Sequence, residues 1–203
     1  MKSIKYLAMF LLAGTLSLAM FSCISDDDKI QEITREHYVQ LSGSYSGNAQ
    51  YFVYVDNASN VKKAEGVTTV INTDSTMKIT GLPVEGLVKK IESEDIKNAL
   101  LAQSSPVLTA RYAIYNVSSE NEISYWIYPV AMEFNNVELG GTTHNYKILF
   151  AAPSGGTNYK TSSIVGFYLY PAEIYDGDNL IQSLIPSLNN VTDYDAIYVE
   201  CTR

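Results

Sequence analysis

Short segments rich in β-branched and aromatic residues recur along this chain, and turn-forming residues separate them. The segments that predict β-strands are residues 44–55, 67–72, 76–80, 108–117, 123–134, 146–151, 164–175 and 196–201. The breaks carry Asn, Asp, Ser, Gly and Pro at 56–60, 72–75, 118–121, 140–141 and 153–156. Because these connections are short, neighbouring strands are expected to be antiparallel. The 16 tyrosines favour the same structure, so the pattern predicts a mainly β fold, an antiparallel sandwich or a barrel-like sheet.

One stretch departs from the strand pattern. Between residues 82 and 101, leucine, valine and isoleucine recur at helical intervals. Ser93, followed by Glu94 and Asp95, has the form of a helix N-cap with acidic residues in the first turn. The helices predicted in this chain cover residues 84–92, 94–103 and, more weakly, 179–188. They form a small helical insertion in the β fold, and α+β remains the alternative fold class.

Two aromatic segments resemble each other. Residues 125–131 (YWIYPVA) and 167–173 (FYLYPAE) each place a proline inside a predicted strand. Proline has no N–H to donate to a strand ladder, so Pro129 and Pro171 are each expected at a bulge, a strand break or a sheet edge. An internal duplication is the alternative explanation of the similarity.

The first 22 residues have the three-part organisation of a secretory signal. Two early lysines precede an apolar run over residues 6–21, and Ser22 stands directly before Cys23. The run is too short to span a bilayer comfortably. The segment before the cysteine resembles a lipobox, which implies cleavage and a lipid on the Cys23 thiol; ordinary secretion is the alternative. The predicted organisation is a lipoprotein signal peptide over 1–22, an acylated N-terminus and acidic tether over 23–38, and a single β-rich domain over 39–203.

An acidic run follows the predicted lipid site: Ser25, Asp26, Asp27 and Asp28. This run resembles the export signal that carries lipoproteins of the Bacteroidetes to the cell surface. It therefore predicts a lipid-anchored protein in the outer membrane that faces the cell exterior. A solvated spacer is the alternative interpretation of the same charges.

The charge balance argues against nucleic-acid binding. The chain has 14 basic and 22 acidic residues, a formal charge of −8. Its basic residues cluster no further than Lys62 with Lys63 and Lys89 with Lys90, so the footprint of a phosphate-binding protein is missing. If Cys23 is acylated, Cys201 has no intramolecular disulfide partner, and its apolar surroundings predict a buried thiol.

The chain offers no recognisable catalytic or metal motif, and no cofactor is predicted. His37 and His144 are its two histidines, and neither has a cysteine or carboxylate at metal-ligand spacing in the sequence. The Gly43–Gly47 segment has Tyr45 where a nucleophile elbow needs serine. Asp176 and Asp178 are interpreted as part of a turn, with calcium binding left open. Glu133, Glu138 and Glu173 are interpreted as solvated charges on strand faces, although in a folded cleft they could supply the two carboxylates of a glycosidase.

Aromatic residues suggest a binding surface instead. Strict alternation sends Trp126 and Tyr128 to one face of a strand and Tyr125 and Ile127 to the other. Packing in the core is the default for aromatic residues in sheets. If one face is exposed, Trp126, Tyr128, Tyr168 and Tyr170 would form a platform on which sugars stack. Separately, Asp74, Ser75 and Thr76 resemble a bacterial O-glycosylation signal, with Ser75 as the acceptor.

The chain also resembles a known family. Residues 41–47 (LSGSYSG) lead into a strand, and Met77, Lys78 and Ile79 lead into residues 82–87 (LPVEGL). These segments resemble domain of unknown function 4840, with calycin-like lipoproteins as the second resemblance. The family supplies no functional residues.

The sequence as a whole predicts a surface lipoprotein that acts as a non-catalytic binding or envelope-interaction module. Its predicted partner is a polysaccharide or another envelope protein, and glycan binding is the leading specific hypothesis. A hydrolase with an unidentified carboxylate pair and a structural component of the envelope are the alternatives. The sequence leaves the oligomeric state open.

Overall fold

A computed structural model describes residues 32–55, 58–118, 122–159, 163–185 and 195–203. Three helices are described: α1 (Arg35–Leu41), α2 (Val84–Val88) and α3 (Glu94–Leu101). The strands are β1 (Gly43–Val55), β2 (Ala58–Ile71), β3 (Thr76–Thr80), β4 (Leu108–Val117), β5 (Ile123–Pro129), β6 (Met132–Leu139), β7 (Thr142–Phe150), β8 (Ser154–Tyr159), β9 (Ile164–Leu169), β10 (Pro171–Asp176), β11 (Asn179–Ser183) and β12 (Ile197–Thr202). The signal peptide, Cys23 and the acidic run from Ser25 to Asp28 lie outside the described residues.

Eight of the described strands close into an antiparallel barrel, in the order β1-β12-β9-β8-β5-β4-β3-β2. The last strand in the sequence closes it, because β12 pairs with β1 as well as with β9. The prediction of a mainly β, antiparallel fold with a small helical insertion is therefore confirmed, in its barrel form.

Inward-facing side chains fill the barrel. Tyr125, Ile127, Phe167 and Val199 have no solvent exposure, and they belong to one continuous apolar cluster. Because these buried side chains fill the interior of the barrel, little room is left there for a ligand. The predicted buried thiol is confirmed: Cys201 is fully buried in this core, and burial raises the pKa of its thiol.

A second sheet, in the order β11-β10-β7-β6, is built from two excursions of the chain out of the barrel. The first excursion leaves after Pro129 at the end of β5, and the second starts at Pro171, the first residue of β10. Each predicted long strand is thus two strands, one in the barrel and one in the second sheet. A bulge, a strand break or a sheet edge was expected at Pro129 and Pro171. Both prolines mark a strand break, and the β10–β7 register also shifts after Pro171.

The two predicted helices between residues 82 and 103 exist but are shorter than predicted, at Val84–Val88 and Glu94–Leu101. Ser93 is the N-cap of α3, and its hydroxyl accepts a hydrogen bond from the Ile96 amide at 3.4 Å. Helix α3 contacts β6 of the second sheet. Hydrogen bonds from Gln182 to the Lys90 carbonyl and from the Glu92 amide to Gln182 join the helical insertion to β11. Among the described residues, no helix has both the length and the apolar character needed to cross a membrane.

Three local predictions were wrong. Residues 58–60 are the start of β2, not part of a turn, because they pair with the end of β1. Residues 179–183 form β11, not a helix, because they pair with β10 across the tight turn at Gly177. Residues 154–156 are the start of β8, not part of a turn, since β5 supplies a ladder partner for each of them and β9 supplies a second one for Gly156. In each case strand pairing outweighs the local preference.

Candidate functional site

The two faces of β5 differ as alternation requires. Tyr125 and Ile127 point into the barrel and are fully buried, whereas Trp126 and Tyr128 are 36% and 41% exposed on the outer face. Packing in the core therefore does not explain the presence of aromatic residues at positions 126 and 128.

A groove of about 280 Å³ lies beside Trp126 on this outer face. We call it the glycine groove, and its lining residues are Tyr115, Gly155, Gly156, Thr157, Tyr159, Gly166, Tyr168 and Tyr198. The centre of the groove is formed by Gly155 of β8 and Gly166 of the neighbouring strand β9. The groove is deep there because neither residue has a side chain. At Gly166 a Cβ atom would lie 2.6 Å from the Tyr198 hydroxyl oxygen, so the lack of a side chain there lets the Tyr198 ring approach the sheet.

Aromatic rings form both walls of the glycine groove. On one side Tyr115 stacks on Trp126, with ring centroids 4.5 Å apart and an interplanar angle of 21°. On the other side Tyr168 lies 4.9 Å from the Tyr198 ring, measured between centroids. Tyr168 and Tyr198 face each other directly across the β9–β12 ladder. The groove is therefore a channel with an aromatic pair on each side.

Hydrogen-bonding groups border the same groove. The Tyr198 hydroxyl donates to Glu200 Oε2 at 3.2 Å. Burial first, and the Glu200 carboxylate second, raise the pKa of Tyr198 to about 12, so this hydroxyl stays protonated at neutral pH. Thr157 adds a hydroxyl to the lining. Each of these groups has further hydrogen-bonding capacity for a polar ligand.

The sequence identified this surface in part. Of the four predicted platform residues, Tyr168 lines the groove and Trp126 supports its wall through Tyr115. Tyr128 and Tyr170 lie outside the lining, although the Tyr170 ring stacks on Tyr168 with centroids 6.2 Å apart. Four residues at the groove were not predicted: Tyr115, Tyr159, Tyr198 and Glu200. The last two lie beside Tyr168 and Gly166 only because β12 pairs with β9.

His144 has a partner that sequence spacing concealed. Its Nδ1 lies 2.6 Å from Asp176 Oδ2, and its Nε2 lies 2.8 Å from the Thr142 hydroxyl. The pairing of β7 with β10 brings the two residues together across 32 positions of sequence. Asp178 instead faces Lys147, with Oδ1 and Nζ 3.7 Å apart. Among the described residues, no group of three or more histidine, cysteine or acidic side chains is arranged to hold a metal ion.

The three glutamates considered for hydrolysis lie on the second sheet, away from the glycine groove. Glu133 and Glu138 are on β6 and Glu173 is on β10, with β7 between the two strands. Glu138 accepts a hydrogen bond from Thr143 at 2.6 Å, and Glu173 accepts one from the Tyr175 hydroxyl at 2.8 Å.

The remaining predicted site residue, Ser75, lies in the β2–β3 turn with a left-handed backbone, at φ 66°. Asp74 stabilises this turn by accepting hydrogen bonds from the amide and hydroxyl of Thr76. These bonds lower the pKa of the Asp74 carboxyl, with the side-chain bond as the largest cause. Ser75 thus lies at a tight turn between two barrel strands.

Comparison with known proteins yields one match. A family model described as Domain of unknown function (DUF4840) matches residues 40–175. No curated protein and no solved structure matches the chain. The matched segment includes Tyr115, Trp126 and the β8 glycines, and it ends before β12.

Proposed function

Because the chain belongs to the DUF4840 family, whose description gives no activity, we propose from its surface geometry that it is a glycan-binding protein. The observation that supports this proposal is the glycine groove, in which two aromatic pairs border a floor that Gly155 and Gly166 keep low. The proposed ligand is an uncharged sugar chain with one pyranose ring in the groove.

Ring chemistry favours a sugar. The faces of tyrosine and tryptophan rings carry the negative part of the aromatic quadrupole. The C–H bonds on one side of a pyranose present the complementary positive edge, while its hydroxyl groups point outward. A groove with aromatic walls and hydroxyl and carboxylate groups near its floor satisfies both parts of such a ligand.

The electrostatics favour binding over catalysis at this groove. The described lining of the groove has no carboxylate of its own, and Glu200 borders it through the hydrogen bond from Tyr198. A glycosidase of the usual kind needs two carboxyl groups on opposite sides of the bond to be cleaved. The protein has a formal charge of −8, which disfavours an acidic polysaccharide at a carboxylate-bearing groove.

A larger cavity, of about 530 Å³, lies at the end of the barrel covered by α2 and α3. Its described lining has Phe52 as its single aromatic residue. We therefore assign the sugar to the glycine groove despite its smaller volume, since the groove offers aromatic ring faces for stacking on both walls.

The groove is proposed to act at the cell surface. A diacylglycerol on Cys23 would anchor the chain, and two or more acyl chains make such an anchor stable. The acidic run from Ser25 to Asp28 would direct the protein outward. The part of the predicted 23–38 tether that precedes α1 would connect the anchor to the folded domain. Incorporation of labelled palmitate into the protein in its native host, and its absence from a Cys23→Ala variant, is the expected result; an unlabelled parent would refute the anchor.

Replacement of Trp126 by alanine tests the glycan proposal. Without the Trp126 ring, Tyr115 is no longer held as the wall of the groove. The sugar would then lose a stacking contact worth about 1 kcal/mol, so the affinity for polysaccharide should fall about fivefold. Affinity electrophoresis through gels that contain neutral polysaccharides measures this change. Because Trp126 is on the outer face, the melting temperature should stay within a few degrees of the parent.

Tyr175→Ala is the matched control, since Tyr175 is a partly exposed aromatic residue on the second sheet. Its retention should equal that of the parent. Failure of every neutral polysaccharide to retard the parent protein, or equal retention of the parent and Trp126→Ala, would refute the proposal. Cooperative unfolding of Trp126→Ala at a much lower temperature would assign the ring a structural role instead.

A further inference from the structure

A second groove adjoins the glycine groove and has a volume of about 220 Å³. We call it the Gln50 groove, and its described lining consists of Gln50, Tyr51, Phe52, Val61, Tyr168, Ala196 and Tyr198. Tyr168 and Tyr198 also line the glycine groove. The two grooves therefore share one aromatic pair.

The strand register places the two grooves on opposite sides of this pair. Tyr168 faces Tyr198 across the β9–β12 ladder, and Tyr198 faces Gln50 across the β12–β1 ladder. Gly166, two residues before Tyr168 on β9, lines the glycine groove. Ala196, two residues before Tyr198, lines the Gln50 groove. Because β9 and β12 are antiparallel, these two positions lie on either side of the pair, which is thus a common wall.

The common wall is accessible, and the site continues beyond it. Tyr168 is 39% exposed, and Val61, at the β2 border of the Gln50 groove, is 57% exposed. From Gly155 on β8 to Val61 the two grooves cover four strand spacings, or about 19 Å at about 4.8 Å for each spacing. A single pyranose ring is too short to contact both ends, whereas a chain of linked rings can.

The chemistry of the Gln50 groove matches that of the glycine groove. In the described lining of both grooves, no side chain is charged. Gln50 contributes an amide that can donate and accept hydrogen bonds, and the Tyr198 hydroxyl can accept one in addition to its bond to Glu200. Ring faces combined with uncharged polar groups suit a neutral sugar in each groove.

We propose that the ligand is an oligosaccharide segment, which crosses the Tyr168–Tyr198 pair and occupies both grooves. This inference rests on the proposed glycan binding, and it adds that affinity depends on chain length. One ring lies in the glycine groove, and a ring further along the chain lies in the Gln50 groove, where the Gln50 amide binds its hydroxyl groups. A monosaccharide occupies one groove only and binds more weakly.

Titration with oligosaccharides of increasing length tests this inference. The probes are the monosaccharide to the tetrasaccharide, prepared from whichever of pullulan, laminarin and dextran most retards the parent protein in affinity electrophoresis. The tetrasaccharide should bind at least about tenfold more tightly than the monosaccharide, since it adds stacking on the shared pair and a hydrogen bond to Gln50. A rise no larger than the number of rings that can alternate in one groove would overturn the inference.

Replacement of Gln50 by leucine isolates the Gln50 groove. Leucine cannot form hydrogen bonds, so the affinity for the tetrasaccharide should fall about fivefold, while the affinity for the monosaccharide stays that of the parent. Lys78→Leu, at an exposed position of β3 outside both linings, is the control and should bind both probes as the parent does. Urea unfolding checks that each variant is folded; if Gln50→Leu is not, the length series of the parent decides.

The Trp126→Ala variant distinguishes failure of this inference from failure of the proposed function. It acts at the glycine groove, so it should weaken the binding of the monosaccharide and the tetrasaccharide alike. If it does so while folded Gln50→Leu binds the tetrasaccharide as the parent does, the sugar site is confined to the glycine groove and the extension is wrong. If no polysaccharide retards the parent, or if Trp126→Ala changes neither affinity, the proposed function fails and the extension fails with it.

Discussion

Replacement of Gly47 by alanine is expected to prevent stable closure of the barrel. Gly47 pairs with Cys201 where β1 meets β12. A Cβ atom at this position would lie 2.0 Å from the Glu200 carbonyl oxygen and 2.7 Å from the Cys201 Cα atom. Both are backbone atoms that cannot rotate away, so the two strands must separate. We expect a loss of at least about 3 kcal/mol of unfolding free energy, at or above the usual range for overpacking.

Urea unfolding, followed by the fluorescence of the single tryptophan, measures this loss. Gly155→Ala is the matched control, because its Cβ atom would have Trp126 Cζ3 as its nearest neighbour, at an ordinary contact distance of 3.9 Å. The control should unfold within about 0.5 kcal/mol of the parent. A Gly47→Ala protein as stable as Gly155→Ala would show that the β1–β12 seam has more freedom than its geometry indicates.

The sequence predicted the barrel strands where period-two alternation and flanking turns agree. β3 and β4 begin and end at the predicted residues. Both signals come from neighbours in the sequence, so no knowledge of the tertiary structure is needed to interpret them. The N-cap at Ser93 was predictable for the same reason, since its hydrogen-bond partner is Ile96.

The sequence did not reveal where the chain changes sheets. Pro129 and Pro171 signalled an interruption, but a bulge, a break and an edge position all satisfy a residue without an N–H group. Strand β8 escaped prediction because its glycines have low strand propensity. Glycine is required at position 156, because a Cβ atom there would lie 2.5 Å from the buried Tyr125 ring.

Only the residues of the candidate site that follow from the pattern of a single segment were predictable from the sequence. Alternation along β5 separated Trp126 from Tyr125, and Tyr168 was identified from its own aromatic segment. Tyr198 and Glu200 join the groove through β12, about 30 residues later in the chain than β9. Their contribution depends on barrel closure, which no pattern within a single segment encodes. The His144–Asp176 contact was missed for the same reason, since it requires the β7–β10 register.

Replacement of Gly155 by isoleucine is expected to separate folding from glycan binding more sharply than loss of an aromatic ring. Gly155 faces outward from β8 opposite Trp126, and the space above it is open apart from that ring. Isoleucine has a higher strand propensity than glycine, so stability should stay level or rise by up to about 1 kcal/mol. Its side chain would occupy the floor on which the sugar ring is proposed to lie.

Polysaccharide affinity of Gly155→Ile should therefore fall at least about 100-fold, since a filled groove loses stacking on both walls and access to the floor, together about 3 kcal/mol. Lys78→Ile is the control, because it adds the same side chain at an exposed position of β3, which β5 and β4 separate from β8 in the barrel. Affinity electrophoresis and urea unfolding on the same samples decide the result. A stable Gly155→Ile protein that still binds polysaccharide as tightly as Lys78→Ile would exclude the glycine groove as the sugar site, whatever the effect of Trp126→Ala.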